Sequence, residues 1–280
     1  MDAATRLRYL DAMGISLWQR RGAAAQSAMQ SVPAAAPEHL SPKEHDPLDS
    51  ALERAIAEPA PDFPVTSPER KAQTSPVPEP AGVSGMDWAE LELSVKNCRQ
   101  CGLCEERKQA VFGVGVQTAG LMVIGEGPGA EEDRQGYPFV GPAGKLLDAM
   151  LAAINHSRAP RGGEQGTYIA NVVKCRPPKN RDPKPEESQA CRPYLERQIA
   201  LVQPRLIMAV GRVAAQNLLG SDEPLGRLRT GMHAYQLPEG GQSFPVLVTY
   251  HPAYLLRSPQ DKRKAWEDLK RARSLLAESR

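Results

Sequence analysis

Aromatic side chains are scarce in this 280-residue chain, at 5% of positions. Long apolar runs are missing altogether: none approaches the roughly 18–20 residues that cross a bilayer, which excludes a transmembrane helix. The first residues, Met1 to Arg6, hold no apolar segment with a small-residue cleavage site. A secretory signal is therefore not expected, and a cytoplasmic protein is. Cysteines number five, too few and odd in count for a disulfide framework, which leaves a metal site plus a spare thiol as the expectation. A P-loop is absent, and no internal repeat appears, so Walker-type nucleotide hydrolysis and solenoid architectures are set aside.

Charge is nearly balanced at +2, but unevenly placed. Residues 1–85 carry 8 Lys+Arg against 11 Asp+Glu, a net of −3, and residues 86–280 carry 27 against 22, a net of +5. A modestly basic C-terminal region suits a polyanionic partner without requiring one.

Proline, by contrast, is abundant, and it is concentrated. Residues 31–85 hold 11 prolines and one aromatic, Phe63. Such a segment cannot bury enough apolar surface to offset its ordering entropy, so a disordered Pro/Ala-rich linker is expected over 31–85. Residues 1–30 precede it with a short apolar element, in which Leu7, Leu10, Met13, Ile15, Leu17 and Trp18 partly share one helical face. Packing on its own domain and docking on a partner are both open for such an element.

From residue 86 the texture changes. Leu121–Ile124, Tyr168–Val173, Leu206–Val210 and Phe244–Thr249 read as short buried strands, and Gly144–Leu151 and Val213–Leu219 carry helical spacing. Strands alternating with helices predict a three-layer α/β/α domain over 86–280 with a central, mainly parallel four-stranded sheet. Ligands of such sheets bind beyond the carboxyl ends of the strands, which singles out Gly125 to Gly129, Asn171, Gly211 and His251.

Chemistry-bearing residues cluster at those places. Cys98, Cys101 and Cys104 lie close together, with Cys175 and Cys191 farther on. Thiolates drawn from separate segments make a site for zinc or an iron–sulfur cluster, and spacing leaves open which metal, and which two of the first three cysteines bind. Between Cys175 and Cys191, a loop containing Arg176, Lys179, Arg181 and Lys184 could meet phosphates once its ends are pinned. The glycines of Gly125-Glu126-Gly127-Pro128-Gly129 let backbone approach a flat or anionic group. Phe139 sits on a rigid Pro/Gly turn as a candidate stacking platform for a base. Asn171 offers an amide that can read both a donor and an acceptor on a base edge, and His251 stands at a strand end before Pro252.

In combination, Gly125-Glu126-Gly127-Pro128-Gly129, Pro138-Phe139-Val140-Gly141, Asn171-Val172-Val173-Lys174-Cys175-Arg176-Pro177-Pro178, Cys191 and His251-Pro252-Ala253-Tyr254-Leu255-Leu256-Arg257 resemble the family 4 uracil-DNA glycosylases, over roughly residues 88–275. The resemblance implies a [4Fe–4S] cluster on Cys98, Cys101, Cys175 and Cys191, with Cys104 spare. It implies that Phe139 stacks on a flipped uracil, Asn171 bonds its Watson–Crick edge, and His251 donates to O2 as the leaving base becomes anionic. Glu132 would crowd C5 and exclude the thymine methyl, while the backbone at Gly125 and Gly127 lines the sugar side. Arg176, Lys179, Arg181 and Arg257 would contact the DNA backbone. Better-known uracil glycosylases carry a water-orienting aspartate where Gly127 stands here, which leaves Glu126 as the nearest carboxylate. No histidine lies between His156 and His233 to trap an abasic sugar, so ordinary turnover is expected. The implied partner is uracil-containing DNA, single- or double-stranded, met by a monomer. Ile15-Ser16-Leu17-Trp18 also resembles part of a sliding-clamp-binding peptide, which points to a replication or repair protein as the partner of the N-terminal element.

Two rival classes share parts of the pattern. One is a redox iron–sulfur protein that binds nucleic acid without cutting it. The other is a nucleotide-binding α/β enzyme, which the missing P-loop lysine disfavours.

Overall fold

The structure is a computed structural model that describes residues 82–238, 240 and 242–278. The apolar element near the N-terminus and the proline-rich stretch as far as residue 81 lie outside the described residues. Val83, in a single 3-10 turn, is 4% exposed and joins the core.

Helix α1 (Trp88–Asn97) starts from a reciprocal cap, in which the Glu90 amide donates to Asp87 Oδ1 and the Asp87 amide to Glu90 Oε2, both at 2.9 Å. Then come α2 (Leu103–Glu106), β1 (Val114–Gly115), β2 (Leu121–Gly125), α3 (Ala130–Gln135), α4 (Pro142–Ala153), β3 (His156–Ser157) and β4 (Gln165–Asn171). The second half holds α5 (Pro185–Val202), β5 (Leu206–Val210), α6 (Arg212–Leu219), α7 (Leu225–Leu228), β6 (His233–Gln236), β7 (Ser243–Thr249), α8 (Pro252–Arg257) and α9 (Lys262–Glu278).

The sheet runs in the order β1-β4-β2-β5-β7-β6, with β3 paired to β4. The four strands expected from sequence, β2, β4, β5 and β7, form its parallel centre. Short β1 and β6 extend it as antiparallel edges, and β3 adds a parallel pair at one end of β4. These three were not foreseen, because strands of two to four residues carry too few positions for an alternation to register.

Both faces of the sheet are buried, so the central strands read as unbroken apolar runs instead of alternating ones. Met122, Ile124, Ile207, Ala209, Val246 and Val248 face one core, shared with α1, α5 and α6. Leu121, Val123, Leu206, Met208 and Leu247 face the other, shared with α4 and α9. Burial of each such side chain contributes roughly 1.5–3 kcal/mol, which makes these strands the rigid floor on which the loops stand. Among the described residues no helix is long and apolar enough to cross a membrane.

Candidate active site and cysteine cavity

Gly125 and Asn171 are register partners at the ends of β2 and β4, and Val210 and Thr249 are partners at the ends of β5 and β7. The residues just beyond these ends therefore meet across the sheet's switch point. A Cβ on Gly125 would lie 2.5 Å from Asn171 Oδ1 and 2.7 Å from Phe139 Cζ. Only glycine lets the strand end this close to both groups. The rings of Phe139 and His251 are 5.5 Å apart between centroids and tilted by 30°. On the far side Gly211, at φ +95°, backs onto His251, where a Cβ would come within 2.9 Å of the histidine's own Cβ.

Asn171 is 2% exposed, and its Oδ1 is the one buried side-chain oxygen or nitrogen among the described residues without a hydrogen-bond partner. Such an atom is costly unless something else satisfies it. His251 accepts a hydrogen bond at Nδ1 from the Ala253 amide, at 3.1 Å. A backbone amide can only donate, so the neutral ring carries its proton on Nε2 and is a donor there. Burial first, and the nearby Arg257 charge second, pull its pKa down to about 4, against an opposing pull from Glu132. The imidazole is thus neutral at ordinary pH.

Phe139 is held by its neighbours in a left-handed conformation, φ 54°. Arg158, which the motifs did not point to, donates to the carbonyls of Pro138 (2.8 Å) and Phe139 (3.1 Å) while paired with Asp148. A Cβ on Gly144 would fall 1.8 Å from the Phe139 carbonyl oxygen, so glycine is required for α4 to start directly beneath the ring's backbone. Glu132 Oε1 accepts from the amides of Val140 (3.0 Å) and Gly141 (3.1 Å), and Oε2 from Gly129 (3.1 Å). The carboxylate expected to crowd uracil C5 is thereby held between the aromatic loop and the glycine loop. At the strand bearing His251, buried Asp268 accepts from Thr249 Oγ1 and from Arg229 Nε, both at 2.7 Å, and ties that strand end to α9. Nothing in its sequence neighbourhood sets Asp268 apart from a surface helix carboxylate.

Glu126, the residue after β2, is half-buried, with its carbonyl accepting from the Val173 amide. Burial and the Asp182 charge push its pKa up to about 7, against Arg212, whose guanidinium pairs with Asp182 at 2.5 Å.

All five cysteines line one separate cavity, partly open to solvent. Cys175 and Cys191 are buried; Cys98, Cys101 and Cys104 are half-buried. Arg107 donates to Cys175 Sγ (2.8 Å) and to the carbonyls of Cys98 (2.8 Å) and Lys96 (2.9 Å), thereby joining the two cysteine-bearing segments. Burial pushes the Cys175 thiol up to about 11 and the Cys191 thiol up to about 12. Among the described residues no three His, Cys, Asp or Glu side chains converge on a point suited to one metal ion. The thiols ring a volume instead.

The basic loop between Cys175 and Cys191 is less free than its composition implies. Arg181 makes a two-pronged pair with Glu187, at 2.8 and 2.7 Å, which ties the loop to the start of α5. Arg176 Nε donates to Asn180. Lys179 and Arg257 are exposed.

A half-buried, neutral histidine donor, an unpaired amide oxygen and an aromatic ring are thus gathered at the ends of parallel strands, where α/β proteins bind their ligands. Residues 112–270 match the family model of the uracil DNA glycosylase superfamily. The chain is 41% identical over 189 residues to a type-4 uracil-DNA glycosylase of Pyrobaculum aerophilum, covering 66% of this chain and 92% of that protein. It is 39% identical over 186 residues to one of Archaeoglobus fulgidus, covering 65% and 89%. A type-5 uracil-DNA glycosylase of Thermus thermophilus is 35% identical over 153 residues, covering 50% and 68%. The chain belongs to the uracil DNA glycosylase superfamily.

Proposed function

We propose that this protein is a type-4 uracil-DNA glycosylase, which hydrolyses the N-glycosidic bond of deoxyuridine in DNA, releases uracil and leaves an abasic site for base excision repair. The observation that carries this reading is the unpaired, buried Oδ1 of Asn171, set beside the Phe139 ring and the donor face of His251. Uracil presents an N3–H donor and carbonyl acceptors on one edge. Asn171 Oδ1 takes the N3–H, Phe139 stacks on the extruded ring, and His251 Nε2–H meets O2.

Cleavage leaves negative charge on the departing base. A neutral donor held in place by the Ala253 amide stabilises that charge without reorganisation, worth on the order of 10²–10³ in rate. Glu126, at about pKa 7, would be the carboxylate that orients water at the sugar once it is ionised. Lys179 and Arg257 supply exposed charge for phosphates.

Cys98, Cys101, Cys175 and Cys191 hold a [4Fe–4S] cluster, and the fit rests on thiols that surround a volume and on two N–H groups, from Arg107 and Lys174, aimed at ligand sulfurs. When bound, the cluster would join the segment before β1 to the segment after β4. The test is an oligonucleotide with a single uracil, incubated with protein and then treated with alkali. Strand scission at uracil and not at a thymine control, lost in His251→Ala, supports the proposal; iron-loaded protein that leaves uracil intact refutes it.

A further inference from the structure

Lys174 is an unusual residue to find where it is. It is 1% exposed, among the largest fully buried side chains of the protein, and no carboxylate pairs with it among the described residues. Its Nζ donates to the main-chain carbonyl of Asn171 at 2.8 Å and to Gln198 Oε1 at 2.6 Å. Gln198, itself fully buried, passes the contact on through its amide to the Phe112 carbonyl (2.9 Å) and Tyr168 Oη (3.2 Å). In the other direction the Lys174 amide donates to Cys191 Sγ at 3.3 Å, and the residue lines the cysteine cavity beside Cys175. One residue therefore touches the wall of the cavity with its backbone and the base-reading strand end with its side chain.

A buried ammonium is retained only where it is hydrogen-bonded and faces negative charge. Lys174 Nζ has two neutral oxygen partners, and the sulfurs nearest the residue are that of Cys191, 3.3 Å from its amide, and that of Cys175, its chain neighbour. The counter-charge that suits this position is thus thiolate sulfur in a loaded cluster, whose four ligands outweigh the charge of its iron and sulfide.

We infer that Lys174 couples the cluster to substrate recognition: the Cys191 sulfur holds its backbone amide, and its side chain holds the Asn171 carbonyl, which sets where the Asn171 amide meets the base. Lys174 is a positioning residue, not a catalytic one. The inference rests on the proposed reading of both sites, since it needs a cluster at the cysteines and a base at Asn171.

The experiment is hydrogen–deuterium exchange on the full chain, as isolated and after the cluster is removed with ferricyanide and a chelator. Cluster removal is expected to speed exchange in peptides spanning 165–174 by about tenfold, the scale typical of lost outer-shell support, with peptides from 243–249 unchanged. In Lys174→Met, exchange over 165–174 is expected to be fast with the cluster present and insensitive to its removal. KM for a uracil oligonucleotide should rise more than kcat falls. Three results each overturn the coupling: no response over 165–174 in the wild type, a rise spread evenly across all peptides, or a Lys174→Met protein that behaves as the wild type. The first measurement needs no variant, so a Lys174→Met chain that fails to fold does not rescue the idea. Protein that carries no iron in any preparation overturns the cluster reading as well, whereas iron-loaded protein without the exchange response overturns only the coupling.

Discussion

The pocket at the strand ends and the cysteine cavity both draw on the segment after β4, yet they are built by opposite means. The pocket is made by removing atoms: Gly125, Gly144 and Gly211 bring backbone against Asn171, Phe139 and His251 at distances that a Cβ forbids. Its rigidity is that of close packing on a fully buried parallel sheet. The cavity is made by joining distant chain. Cys98 and Cys191 are far apart in sequence, and the hydrogen bonds of Arg107 and Lys174, not steric contact, draw their surroundings together. A site of the first kind is sensitive to an added methyl group, and one of the second kind to a lost cross-link.

The largest effect that separates the two belongs to His251. His251→Ala is expected to lower kcat for uracil release by about 10²–10³ while leaving iron content untouched, as measured by single-turnover kinetics and absorbance near 400 nm. Arg107→Ala should do the reverse, with iron retention under chelator challenge falling by about 10–100-fold and any loss of activity following the loss of iron. If Arg107→Ala lost activity with its iron intact, the division between the two sites would not hold.

Asn171→Ala is expected to reduce kcat/KM by about tenfold, corresponding to roughly 1.4 kcal/mol of lost hydrogen bonding. Its thermal midpoint should suffer less than that of an ordinary buried polar truncation, since the deleted Oδ1 has no partner to strand. A steep fall in stability would show that the amide is structural.

The smallest effect is one of pH. The folded-state pKa of Glu126 is raised, to about 7, so the folded protein binds the proton more tightly than the unfolded chain between the ordinary carboxylate range and about 7. Stability contributed there is present at low pH and is lost as pH rises through that window. Activity that needs the carboxylate should instead rise through about pH 7, and Glu126→Gln should flatten both trends. His251 runs the other way. Its pKa is depressed to about 4, so its contribution is lost as pH falls from its usual range toward that value, and it sets no limit on activity near neutrality. A rate profile for Glu126→Gln that keeps the midpoint near 7 would remove Glu126 from the water side of the pocket.

Much of the pocket is legible in the sequence, for a local reason. Gly125, Asn171, Gly211 and His251 each fall at or just after a strand that reads as a short apolar run, and parallel sheets place such ends together. The supports are not legible. Arg158, Asp268 and Gln198 lie in ordinary polar surroundings in the sequence, and only the fold shows them holding Phe139, Thr249 and Lys174. The pairing of Arg181 with Glu187 is likewise visible only in the fold.

By itself the sequence determined the sheet's parallel centre, the order of its motifs and the residue types gathered at the strand ends, because apolar periodicity and glycine placement act over a few neighbouring residues. Tertiary structure alone decided which nitrogen of His251 carries the proton, that Asn171 keeps an acceptor unpaired, that five thiols share one cavity, and that Lys174 stands between the two sites. Each of these depends on which partners lie within about 3 Å, and hydrogen bonding across a fold is set by chain segments that the local pattern never brings together.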